Sequence, residues 1–102
     1  MIFATDIQNA YIKLYKEMQK YIWSAEVIEN LADLEVSVYE IFPDMDLVRK
    51  NFKKLKYDLY DILHSDDKEE SEPMKEVVDQ FENTLNDEVG YGRLEKLQEA
   101  IQ

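Results

Sequence analysis

The stretch from Asp44 to His64 places its apolar residues at Met45, Val48, Phe52, Leu55, Leu59 and Ile62. The gaps alternate three and four, so all six share one side of a helix. The chain has only two Gly and two Pro. Turn chemistry is therefore scarce, and a few long helices are expected rather than many short strands. The expected fold class is all-α: a small antiparallel bundle of three long helices plus one or two short ones. At 102 residues the chain is expected to form a single helical-bundle domain over 1–102.

The same spacing appears at the front of the chain. Ile7, Tyr11, Leu14, Met18, Tyr21, Ala25 and Ile28 form a seam with a period near 3.5. Thr5 and Gln8 match a capping box, and Asp6 suits the positive end of a helix dipole. Trp23 and Ile12 fall off this seam. Beyond Ile28 the register drifts through Leu31, Leu34, Val38 and Ile41, with a break expected near Asn30 to Asp33. Leu34 to Val38 alternates like a strand, but no partner strand exists, so helix is preferred. Pro43 is expected to end this element, and Asp44 to cap the central helix, which should run to about His64. An acidic mobile linker is expected at about 65–73. Pro73 should then open a helix with Met74, Val78, Phe81 and Leu85 on its buried side. Gly90 should end that helix, and Leu94, Leu97 and Ile101 belong to a last short one.

Charge is distributed unevenly. The net charge is −11. Residues 48–57 carry five bases and no acid, whereas residues 58–90 carry twelve acids against two bases. A surface of that sign repels nucleic acid at long range and favours basic partners. Cys is absent, which excludes disulfides and thiolate chemistry. The N-terminal Met-Ile-Phe-Ala-Thr-Asp lacks the features of a signal peptide, and no stretch approaches the roughly 18 apolar residues of a membrane span. A cytoplasmic location is the expectation.

No motif for catalysis, cofactor or metal stands out. His64 is the sole histidine. Beside Ser65, Asp66 and Asp67 it superficially suggests a catalytic triad, but no strained nucleophile turn is present. A cation near a helix C-terminus is the simpler role. The carboxylates of Asp44 to Asp46 and Asp66 to Glu70 lack the Gly and the spacing of a calcium loop. Arg49, Lys50, Lys53, Lys54 and Lys56 read as a stripe offsetting acidic neighbours, without a nucleic-acid-reading module around them. Tyr11 and Tyr21 are expected in the core, and Tyr15, Tyr57, Tyr60 and Tyr91 at the surface.

The expected function is that of a small acidic, non-enzymatic protein-binding module. Its partner would be a protein with a basic surface, engaged through Asp66, Asp67, Glu69, Glu70, Glu72, Glu76 and Asp79. A carboxylate-studded helix can act as a nucleic-acid mimic, a device of phage-encoded nuclease inhibitors. The Lys-rich, Arg-poor composition fits phage and AT-rich bacterial genomes. Two alternatives are a four-helix bundle like the bacteriocin-immunity proteins, and a structural subunit or homodimer paired through the first seam. No cofactor and no direct nucleic-acid contact are expected.

Overall fold

The computed structural model describes residues 4–88. Among them the protein is all-helical, with no strand. The elements are α1 (Ala4–Met18), α2 (Ala25–Val38), α3 (Met45–Asp58), α4 (Tyr60–Leu63) and α5 (Lys68–Glu88). α1 packs along α5 and α2 along α3, while α4 rests on α5. The end of α1 lies beside the start of α5: the Tyr21 phenol just past α1 is raised in pKa by burial and then by the charges of Glu70 and Asp67. These two helices therefore run antiparallel.

The core is the set of seams read in the sequence. Ile7, Tyr11, Leu14 and Met18 of α1 meet Leu34 and Val38 of α2, Val48, Phe52 and Leu55 of α3, and Met74, Val78, Phe81 and Leu85 of α5. Phe52 stacks on Phe81 with ring centroids 4.4 Å apart, which ties α3 to α5. Burial of one such side chain contributes about 2 kcal/mol. Ile7, Tyr11, Leu14 and Met18 of the first seam are buried inside this core.

Several boundaries depart from expectation. The helix is already established at Ala4, so Thr5 lies inside α1 rather than capping it. α1 stops at Met18 instead of continuing to Ile28. The Trp23 indole N–H donates to the Met18 carbonyl at 2.6 Å, and the amide of Tyr21 also closes back on Met18. These contacts terminate the helix, since they occupy a carbonyl that the next turn would need. Ser24 then caps α2 through the amide of Val27. Ala25 and Ile28, expected in the seam, are consequently exposed.

α2 runs unbroken through Asn30 to Asp33, where a break was expected. The Asn30 side chain there binds α3 instead of its own backbone, and α3 in turn reaches the main chain of Asp33. Asn30 donates to Asp58 at 2.8 Å, and Asn51 donates to the Asp33 carbonyl at 3.3 Å. α2 ends at Val38, five residues before Pro43. Ile41 thus falls in the connection and is 87% exposed, beside Phe42 at 92%. Asp44 caps α3 as expected, accepting from the amides of Asp46 and Leu47 at 3.1 and 3.3 Å.

The central helix is interrupted at Leu59, whose amide is shared between the carbonyls of Leu55 and Lys56. The resulting turn rotates Leu63 into the core and leaves Ile62 half-buried. The acidic linker of about 65–73 is helical from Lys68 onward. Asp67, not Ser71 or Glu72, caps α5 by accepting from the Glu69 amide at 3.0 Å. Ser71 is only 3% exposed. Pro73 therefore sits inside α5, where it removes one hydrogen bond to the carbonyl four residues back. The expected helix end at Gly90 and the last helix with Leu94, Leu97 and Ile101 lie outside the described residues.

Candidate functional site

α5 is the longest element, with 21 residues. Its core side is fixed by Met74, Val78, Phe81 and Leu85. Glu69, Glu72, Glu76 and Asp79 recur three and four residues apart on the opposite side. All four are exposed. They span about 15 Å at the helical rise. No ion pair joins any of them to another described residue.

The other three candidate residues stand apart from this stripe. Asp67 is exposed but serves as the α5 cap. Glu70 is exposed near Tyr21, beyond the end of α1. With Glu17 and Asp67 it holds the Tyr21 phenol above its usual range, although burial is the larger cause. Asp66 lies in the connection before α5. The sequence thus named seven carboxylates as one surface, and the structure aligns four of them.

Other acids do have partners. Glu17 is buried beside Lys20, whose ammonium lies 2.8 Å from it. That hydrogen bond and charge raise the Lys20 pKa. Glu82 of α5 pairs with Lys56 of α3. Arg49 reaches the Leu85 carbonyl at 3.4 Å and Asp46 at 3.4 Å. Both basic side chains thus help to clamp α3 on α5.

Lys50, Lys53 and Lys54 differ. They are exposed, and none is ion-paired with a described residue. With Tyr57, Glu26 and Asn30 they border an open cleft of about 560 Å³ between α2 and α3. Tyr57 is 81% exposed. The stripe of bases read from the sequence therefore divides: two side chains bridge to α5, and three face outward.

The run His64 to Asp67 performs local backbone work. The His64 ring stacks on Tyr60 at 4.0 Å and closes α4. The Ser65 hydroxyl accepts from the Asp67 amide at 3.1 Å. Nothing brings His64, Ser65 and Asp67 to a common atom. Among the described residues no group of three or more His, Asp or Glu is placed to hold a metal ion. Among them, too, no helix is long and apolar enough to cross a membrane.

The tyrosines fall largely where expected. Tyr11 is buried, with its pKa raised chiefly by desolvation and then by Glu35. Tyr15, Tyr57 and Tyr60 are exposed; Tyr91 lies outside the described residues. The surface that sequence reasoning missed is Ile41-Phe42. Its signal was the neighbouring Pro43, which marks a connection rather than a helix end. No protein-family model, curated protein or solved structure matches this chain.

Proposed function

We propose that this protein is a non-enzymatic binding module whose α5 stripe engages a basic surface on another protein. The supporting observation is the alignment of Glu69, Glu72, Glu76 and Asp79 on one exposed side, without internal counter-charges among the described residues. Four carboxylates held on a rigid helix are pre-organised for a complementary cationic groove. The nucleic-acid channel of a nuclease is such a groove, and an inhibitor from a phage or mobile element is the setting that suits this design.

The test compares the wild type with Glu72→Gln/Glu76→Gln/Asp79→Asn on immobilised, purified nucleic-acid-binding proteins. Exposed carboxylates add little to folding, so the variant should match wild-type stability within about 1 kcal/mol. Binding should weaken mainly through slower association and show a flatter salt dependence. A DNA duplex should compete for the same surface. Equal binding of both proteins at low salt would overturn the reading.

A further inference from the structure

The three outward lysines of α3 outnumber the acids beside them: Glu26 and Asp58 border the same cleft, and neither forms an ion pair with them. Lys50, Lys53 and Lys54 stand three and four residues apart, and like charges at this spacing repel. The chain has twenty-three acids, yet none of them is ion-paired with these lysines among the described residues. Tyr57 shares the face with its ring in solvent. Meanwhile, Lys56 and Arg49 occupy the seam between α3 and α5. The lysine face and the acidic stripe lie on the outward sides of their helices and do not meet within one chain.

We propose that the lysine face of α3 is a docking site for the α5 stripe of a second copy of this chain. The inference rests on the stripe being a docking surface, as proposed above, but not on its foreign partner. Charge complementarity selects the occupant. A second copy brings its stripe to these lysines and keeps its own lysines for a further stripe. A contact of this kind is head-to-tail, and a dimer is its first step. A nucleic acid also has the right sign for the lysines, but it leaves the α5 stripe facing another polyanion. Tyr57 supplies apolar contact for the methylene stems of the glutamates.

The net charge of −11 on each copy opposes association. Its reach depends on salt. The screening length is about 30 Å at 0.01 M, about 8 Å at 0.15 M and about 3 Å at 1 M. Remote repulsion is therefore removed first, and facing ion pairs last. Dimerisation should be strongest at intermediate salt.

Analytical ultracentrifugation at about 1 mM chain suits a small, weak interface. The expected result is more dimer at 0.15 M salt than at 0.01 M or 1 M. Monomer at all three overturns the proposal. Lys50→Glu/Lys53→Glu/Lys54→Glu and Glu72→Lys/Glu76→Lys/Asp79→Lys should each be monomeric, and an equimolar mixture should form a heterodimer. Circular dichroism verifies that both fold; if either triple variant is unfolded, Lys53→Glu and Glu76→Lys replace them with the same readout. A mixture that stays monomeric while the wild type dimerises shows that other surfaces are used. A DNA duplex that binds the lysine face and dissolves the dimer also refutes the assignment. The lysine-reversed variant keeps the stripe. Undiminished binding of that variant to a basic protein, while the wild type stays monomeric at all three salts, fails this inference alone; loss of basic-protein binding by the stripe, with the dimer intact, fails the binding reading alone.

Discussion

Phe52→Ala tests whether the seam of α3 holds the bundle together. Phe52 is 4% exposed and stacks on Phe81, which is fully buried. An aromatic side chain buries roughly 150 to 250 Å². At about 25 cal/mol per Å² that is worth about 4 to 6 kcal/mol. A compact unfolded state lowers the figure by roughly 10 to 40%. The expected loss is therefore about 3 to 5 kcal/mol, the range found for removing a buried Phe. A domain of this size has about 5 to 15 kcal/mol in total, so the loss takes between about a fifth and all of it. Phe52→Leu keeps most of the volume and loses the ring pair, which should cost about 1 to 2 kcal/mol. Urea titrations followed by circular dichroism and by Trp23 fluorescence provide the measurement. Trp23 sits at the α1–α2 connection, away from the phenylalanine pair. Coincident transitions by the two probes would justify a single free energy. A loss below about 1 kcal/mol for Phe52→Ala would refute the packing argument. Equal losses for the Leu and Ala variants would refute the division between volume and ring pairing.

Asp44→Ala should cost about 1 kcal/mol in the same titration, because it frees the two amides that Asp44 caps, whereas Asp44→Asn should retain most of the stability. Burial raises the folded pKa of Tyr11 above its ordinary value of 10.0. Above that pH the unfolded chain loses the proton while the folded chain keeps it, so stability should fall with rising pH. The limiting slope for this one group is about 1.4 kcal/mol per pH unit. Below the ordinary value both states hold the proton and the group adds no slope. Tyr11→Phe should remove this part of the alkaline loss, as read by urea titrations on either side of the ordinary value.

The core was legible because periodicity survives folding. Met45, Val48, Phe52, Leu55 and Leu59 needed only a helix to become a seam, and the same holds for Met74, Val78, Phe81 and Leu85. Helix ends were less legible. The seam through Tyr21, Ala25 and Ile28 continues across a helix break, because spacing alone cannot register a hydrogen bond from the Trp23 indole to a backbone carbonyl. Asn30 and Asp33 seemed to compete with their own helix. The Asn30 side chain instead donates to Asp58, and Asp33 only offers its backbone carbonyl to the Asn51 side chain, long-range partners that a local rule does not see. Pro73 misled for a different reason. Proline favours the first turn, and deeper placement removes one intrahelical bond and crowds the carbonyl four residues back, yet α5 carries Pro73 in its interior. Asp67 and Ser65 had already built the start of α5 upstream of it.

Sign and position together determine what each charge does, and sequence conveys mainly the sign. Glu17 and Glu82 lie at the edges of buried surfaces and acquire Lys20 and Lys56. Asp44 and Asp67 lie just ahead of helices and bind backbone amides. Neither group is available to steer a partner, although all four count toward the net charge. Glu72, Glu76 and Asp79 sit opposite the core stripe of α5, farthest from α1 and α3. Among the described residues no cation is paired with them there. Their carboxylates add little to folding, since exposed charges gain little from internal pairing and repel each other slightly. The lysines of α3 are in the mirror situation on the outward side of their own helix. A fold that pairs its edge charges and leaves two outward faces of opposite sign retains an electrostatic dipole at its surface. Such a dipole orients an approaching charged partner before contact, so it should affect association rates more than the lifetimes of the complexes formed.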